Sequence, residues 1–374
     1  MRVLLVTAVV AGGVGRHVRQ LADDLVAAGQ DVVVACPAAV AEAFDMAASG
    51  ARVAELDVGT TRPAQLAATH RALRRLLRGA DVVHAHGVRA GAAMALASSG
   101  LRSRPQLVVT THNGPPPGRA AALVYEGLER LVCRRADLVL TVSDDLAVRA
   151  RQRGARAVAT AVVPSSAAAP VDDAARRRAG EDLRAELGLA RGVPVVVTAG
   201  RLAEQKRVDA VVRAHHRLVA DSPAGGPPPV LLVVGDGPLE GRLRALAATG
   251  PGDVRLLGRR ADVPRLLAGA DVVVSAARWE GQPLVLQEAL AAGAPVVATD
   301  VGGTAALLDG AGLLVAGDDD GLATRLATAV RDLLDDPGAR AALGERARRR
   351  AARLPTRRDA LAAVLRAYRR VVGG

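Results

Sequence analysis

The stretch Arg278–Thr304, RWEGQPLVLQEALAAGAPVVATDVGGT, constrains the fold most, because it spells out a loop, a helix and a strand in one run. Ahead of it, Ala270–Ala276 is a short apolar segment rich in β-branched residues, the pattern of a strand buried on both faces. Pro283 suits a helix start, where its missing N–H costs nothing, so the spacing predicts a helix over Leu284–Ala291 with Glu288 on its second turn. Gly293 ends that helix, and Ala294–Thr299 reads as a second buried strand before the turn at Gly302 and Gly303. The result is a βαβ unit of a parallel sheet. It carries two carboxylates at its ligand-facing end, Glu280 in the loop and Glu288 on the helix.

Helix N-termini favour anions, since their first N–H groups are unpaired and the dipole is positive there. Acids placed at such an end make sense if they accept hydrogen bonds from hydroxyls while backbone N–H groups take phosphate. Side chains lean towards a helix N-terminus, so Glu280 and Glu288 can face one bound molecule from different sides. That geometry suits a nucleotide sugar. Taken by themselves, the two acids at this spacing read more readily as solvated surface groups.

Three further motifs change the balance. Gly200–Lys206 reads GRLAEQK, Gly235–Pro238 reads GDGP, and Gly12–Val18 reads GGVGRHV after an apolar start. Together with the two glutamates, which have seven residues between them, they stand in the order found in retaining glycosyltransferases of family 4, and the chain resembles that family over nearly its whole length. The resemblance implies an α/β protein of the GT-B fold, in which two Rossmann-like parallel-sheet domains face a central cleft and the C-terminal helix crosses back to the first domain. The expected division is an acceptor-binding domain over 1–166 completed by helix 356–374, a linker over 167–179, and a nucleotide-sugar-binding domain over 180–355.

The bulk numbers agree with two domains, at roughly 150 residues each. The chain has 374 residues but only four are Phe, Tyr or Trp, so its cores must be built from Ala, Val and Leu. Lys206 is the one lysine beside 49 arginines, which makes its place in the GRLAEQK motif stand out. A net charge of +12 is compatible with nucleic acid, anionic membrane or acidic substrates. No aromatic-studded basic strand or zinc-finger spacing accompanies it, so nucleic acid is not an expected partner. Two cysteines make no disulfide framework and no cluster has metal-ligand spacing, which points to a reducing, cytoplasmic compartment. Nowhere are there the 18 or more apolar residues of a membrane span.

Along the chain, Val3–Val10 reads as the first strand, with Gly13 and Gly15 in a loop near a ligand and a helix from Arg16 to Ala28. A dinucleotide site fits poorly there, because no third glycine follows and no acid ends the second strand, Asp31–Ala35. Arg71, Arg74, Arg75 and Arg78 alternate with leucines, as in a solvated helix face; such a run can also rest peripherally on anionic membrane. His84 and His86 share one face of a strand over Asp81–Gly87 and read as satisfied histidines. His112 ends the strand Leu107–Thr111, where ligand chemistry usually falls in a parallel sheet. Ala167–Arg178 reads as a mobile linker, and a helix is expected over Gly180–Leu187. The basic block Arg346–Arg353 reads as a solvated helix face. Pro164–Ser166 departs from the family's P-N-G turn.

The resemblance further implies transfer of a sugar from a nucleoside-diphosphate donor to a saccharide, lipid or small-molecule acceptor, with retained anomeric configuration. It places His112, Arg201, Lys206 and Glu280 at the reacting centre, Arg201 and Lys206 on the diphosphate, and Glu280 on the donor sugar's hydroxyls. Glu288 falls on the ribose, Gly258 and Arg259 on the base, and Gln282, Pro283 and Leu284 beside the phosphate, which backbone N–H groups near this stretch would hold, with Gly13 and Gly15 across the cleft. No metal or other cofactor is expected, since protein cations can do the work of one. A nucleotide-sugar epimerase or phosphorylase of the same architecture, or a binding protein without chemistry, would carry the same motifs.

Overall fold

The computed structural model describes residues 1–8, 12–58, 62–116, 118–165, 167–221 and 226–373. Within them the chain forms two units, Met1–Val163 together with Pro355–Gly374, and Pro164–Leu354. Each is a parallel sheet with helices.

In the first unit the strands are β1 (Arg2–Thr7), β2 (Asp31–Cys36), β3 (Arg52–Glu55), β4 (Val82–His86), β5 (Gln106–Thr111), β6 (Leu138–Thr141) and β7 (Val158–Thr160). They lie in the order β3-β2-β1-β4-β5-β6-β7. Val3 pairs with Val32 on one side and Val82 on the other, so the central strand is buried on both faces, as its continuous apolar run requires. Strand β1 stops at Thr7, and Val9, Val10 and Ala11 lie outside the described residues. β3 carries no strong apolar run and is half exposed at the sheet edge, which is why the sequence pattern missed it.

The second unit holds β8 (Val195–Ala199), β9 (Val230–Val234), β10 (Asp253–Gly258), β11 (Val272–Ser275), β12 (Val296–Asp300) and β13 (Leu313–Ala316) in the order β10-β9-β8-β11-β12-β13. Alternation along its strands serves two cores. Val195, Val197, Val230 and Leu232 enter one; Val196, Leu231 and Val233 enter the other. A sheet covered on both faces needs this, and Val and Leu supply it without aromatic residues.

Several expectations are corrected. The first helix spans Gly13–Ala27, not Arg16–Ala28, so Gly13 and Gly15 are helical rather than in a loop. The segment expected as a mobile linker is helical from Asp173 to Glu186, with Asp172 accepting from Ala175 N as N-cap. Arg176 on it donates to Ala268 O (3.1 Å) and Ala270 O (2.6 Å), which anchors the helix without an apolar stripe. In the basic block, Arg350 donates to Leu307 O and Ala306 O at 2.8 Å each, and Arg348 pairs with Asp173, so this face is tied to its own unit. Leu73 and Leu77 of the helix Pro63–Leu77 are in the first core, and Arg74 donates to Ala97 O and Ser99 O. The leucines of that face therefore pack inward, while Leu66 near the helix start stays exposed.

The helix Arg357–Val372 returns to the first unit. A capping box between Thr356 and Asp359 starts it, Arg357 pairs with Asp24 at 2.6 Å, and Tyr368 is fully buried. Among the described residues no helix is long and apolar enough to cross a membrane.

Candidate active site

In the second unit the loops that leave the C-terminal ends of β8, β9, β10 and β11 are bonded to one another. Gly200 N donates to Val234 O (2.9 Å), Gly235 N to Gly258 O (2.8 Å), Leu202 N to Asp236 O (2.7 Å) and Leu239 N to Leu202 O (3.1 Å). The glycines of GDGP make this possible. A Cβ on Gly237, whose φ is 154°, would stand 2.5 Å from Leu202 O, and one on Gly235 would fall onto the Gly200 carbonyl. Their role is close packing of loop on loop.

Lys206 ends the short 3-10 turn Glu204–Lys206, and its stem lies over Gly200, where a Cβ would come within 3.6 Å of Lys206 Cε. Its ammonium pairs with Glu280. Arg207, left-handed at φ 45° and buried, donates to Ala276 O (2.8 Å) and Ala277 O (3.2 Å) and pairs with Asp319. Arg278 N donates to Gln205 O and Gln205 Nε2 to Trp279 O, at 2.8 Å each. On the far side Gly303 N donates to Glu280 O (2.8 Å), and a Cβ on Gly302 would fall onto that same carbonyl. Glu280 is thus fixed through its backbone by the Gly302–Gly303 turn and through its side chain by Lys206.

The helix after it spans Leu284–Ala291, with Pro283 at the N-cap and no side-chain cap. The N–H groups of Leu284 and Val285 fall in the first turn, where no intrahelical acceptor exists. Glu288, also buried, accepts from Ser165 Oγ at 2.6 Å, and Ser165 N donates to Gln287 Oε1 at 2.9 Å. Ser165 therefore ties the departed P-N-G position to Glu288; Ser166 lies outside the described residues. The structure brings Lys206 and Glu280 together, while Glu288 is held separately. Arg201 and Arg259 are exposed, Gln282 is half-buried and Pro283 buried. Asp319, in the Asp318–Asp320 string, is taken up by Arg207 and Arg278.

In the first unit Gly12 is the helix N-cap with φ 59°. Gly15 is buried, and a Cβ there would strike the Phe44 ring, so this glycine serves helix packing. His112 joins His17, His84 and His86 in a histidine cluster at the C-terminal edge of β4 and β5. His86 Nδ1 lies 3.2 Å from His112 Nε2. His84 bonds Tyr368 OH (2.7 Å) and Thr110 Oγ1 (2.6 Å). The ring of His17 stands edge-on to His86 and His112. Burial pushes His17 down to about 4, and burial followed by neighbouring His17 takes His84 to about 3. His86 and His112 are held well below the usual histidine range, chiefly by burial. The side-by-side spacing of His84 and His86 was visible in the sequence; His17 lies inside the GGVGRHV motif without being singled out there, and nothing marked Arg207.

Two Rossmann-like units, a seven-stranded and a six-stranded parallel sheet with helices, define a GT-B protein. The fold matches that of HepE from Anabaena, solved with UDP and glucose, at a TM-score of 0.78 and 20% identity, over 98% of this chain and 99% of that one.

The chain belongs to family 4 of the glycosyltransferases: residues 193–336 match the family of glycosyl transferases group 1 and residues 12–165 the glycosyl transferase 4-like domain. It is 32% identical to glycogen synthase of Mycobacterium tuberculosis over 94% of this chain and 90% of the relative. It is 35% identical to the GDP-mannose-dependent monoacylated alpha-(1-6)-phosphatidylinositol monomannoside mannosyltransferase of Corynebacterium glutamicum, over 47% of this chain and 45% of that relative's length.

Proposed function

We propose that this chain transfers a sugar from a nucleoside-diphosphate donor to an acceptor hydroxyl, with retention of anomeric configuration and without a metal ion. The observation that carries the reading is Lys206, laid over Gly200 and paired with Glu280 beside the uncapped start of the Leu284–Ala291 helix. A diphosphate competes with Glu280 for the Lys206 ammonium, and the freed carboxylate then accepts hydrogen bonds from the donor sugar. Negative charge grows on the β-phosphate as the nucleotide leaves. Fixed cations at that point, Lys206 and the exposed Arg201, lower the barrier, with the N–H groups of Leu284 and Val285 beside them. Glu288 takes the ribose hydroxyls in exchange for Ser165. No described carboxylate is committed to nucleophilic attack, so the leaving phosphate itself takes the acceptor's proton.

Names of similar proteins support the donor class: one is GDP-mannose-dependent and another was solved with UDP and glucose. Buried, unpaired Cys36 and Cys133 fit a reducing, cytoplasmic compartment. Any membrane contact through the exposed Arg71, Arg75 and Arg78 would be electrostatic, seen as co-sedimentation with anionic vesicles that fades with salt.

The test is a panel of nucleoside diphosphates and their sugars in thermal shift, followed by turnover of the donors that bind. Lys206→Ala should lower turnover by roughly a hundredfold or more, in the range of removing one transition-state donor, at unchanged melting temperature without ligand. Near-normal turnover would count against the assignment. Excess EDTA should leave the rate unchanged; a rate restored only by added magnesium or manganese would overturn metal independence. Conversion of the donor with no acceptor present would instead identify an epimerase.

A further inference from the structure

His86 makes no contact that the proposed transfer requires, yet its place in the histidine cluster decides what His112 can do. It is 2% exposed, its Nδ1 faces His112 Nε2 at 3.2 Å, and its Nε2 is enclosed with no hydrogen-bond partner. A neutral imidazole has one N–H and one lone pair. If the His86 proton sat on Nε2, a buried N–H would have no acceptor, while Nδ1 accepted from His112. If it sits on Nδ1, the N–H is used in the bond to His112 and only a lone pair stays unmatched. Orphaned buried N–H groups are the rarer and costlier case. His84 cannot relieve Nε2, because both of its own nitrogens are taken by Tyr368 and Thr110.

We infer that His86 is a positioning residue that fixes His112 as the Nδ1–H tautomer, making His112 a hydrogen-bond donor to a ligand oxygen rather than a general base. His86 Nδ1–H donates to His112 Nε2, so the lone pair of His112 is occupied. Its single proton must then be on Nδ1, which takes no described partner and is not enclosed. The part of the His112 ring that stays exposed therefore presents an N–H, suited to a sugar hydroxyl oxygen or a phosphate oxygen, and it cannot accept the acceptor's proton. The cluster is built to keep this state. His17 packs edge-on against both rings and His84 lies 4.3 Å from His86, centroid to centroid, so a protonated imidazole here would sit beside three others in a dry site. Other charged groups do not enter: the partners that cause the low His86 and His112 pKa values besides burial are the cluster's own histidines.

The inference rests on the proposed transfer only for what the donor touches; the tautomer can be read without it. In the full-length protein labelled with 15N-histidine, long-range proton–nitrogen correlation near pH 7.5 should show His112 protonated at Nδ1 and His86 protonated at Nδ1. A His112 protonated at Nε2 overturns the proposal, whether or not any transfer activity is found. For activity, release of UDP or GDP is measured from UDP-glucose and GDP-mannose. H86L removes the donor and should lower kcat by roughly tenfold or more, with KM changed less than kcat. H86N puts an amide N–H near the place of Nδ1–H and should recover turnover to within about threefold, the scatter of one weak hydrogen bond. Equal loss in H86N and H86L, or no loss in either, contradicts the role. If H86L fails to fold, H86N and the tautomer spectrum still decide.

Discussion

Replacing Gly237 by alanine would push a methyl group to 2.5 Å from Leu202 O and 2.8 Å from its N, at a φ of 154° that L-residues rarely adopt. The obstacle is backbone, which cannot swing aside, so Gly237→Ala should destabilise the second unit by about 3 kcal/mol or more and abolish nucleotide-dependent thermal stabilisation. Gly15→Ala makes a useful contrast. Its obstacle is the Phe44 side chain, so loss of stability should be about 1–3 kcal/mol and should shrink when Phe44→Leu is added; no recovery in the double variant would contradict the packing account. Lys206 stood out in the sequence because a single lysine sits in the GRLAEQK motif among 49 arginines. Gly15 was not, since its reason is an aromatic ring 29 positions along the chain, and a glycine beside a strand end looks the same whether a ligand or a ring demands it.

At the scale of elements, Leu284–Ala291 has the bounds that its pattern predicts. It is marked at each end, by Pro283 before it and Gly293 after it. The second half of the helix Asp173–Glu186 falls within the expected Gly180–Leu187, but its first half escaped because its burial is confined to Gly180 and Leu183, and its anchor is a guanidinium reaching carbonyls of another segment. The returning helix Arg357–Val372 gives a sharp test of such tertiary ties. Tyr368→Phe keeps the ring packing but leaves His84 Nδ1 without its partner at 2.7 Å. It should cost about 1–3 kcal/mol, the desolvation of one orphaned polar group, read as a lower denaturation midpoint of the first unit. An unchanged midpoint would mean that the phenol contributes by shape alone.

For the whole molecule, the histidine cluster sets the response to acid together with His215 of the second unit, which burial likewise pushes down to about 4. Folded-state values lowered to about 4 for His17 and about 3 for His84, with His86 and His112 also held low, mean that below the ordinary histidine pKa the unfolded chain binds protons which the native chain refuses. Stability is then fully present above pH about 6.5 and falls as the pH drops towards the folded values, by up to about 1.4 kcal/mol per pH unit for each such group. Urea midpoints measured at pH 7.5, 6 and 5 should fall steadily; a flat profile would refute the buried neutral state. The two-unit architecture was legible from motif order, because each motif follows a strand of its own sheet. The cluster was not, since His17, His84, His86, His112 and Tyr368 are brought together only by strand order and by the return of the final helix.

That return also bears on how the protein is made. Nascent domains generally complete in the order in which they leave the ribosome, but here the unit that starts first needs Tyr368 to close its polar interior, while Pro164–Leu354 is contiguous. The middle of the chain should therefore reach its native state before the beginning does. The N-terminal sheet meanwhile waits incomplete, the stage of biogenesis at which a chaperone would have most to hold.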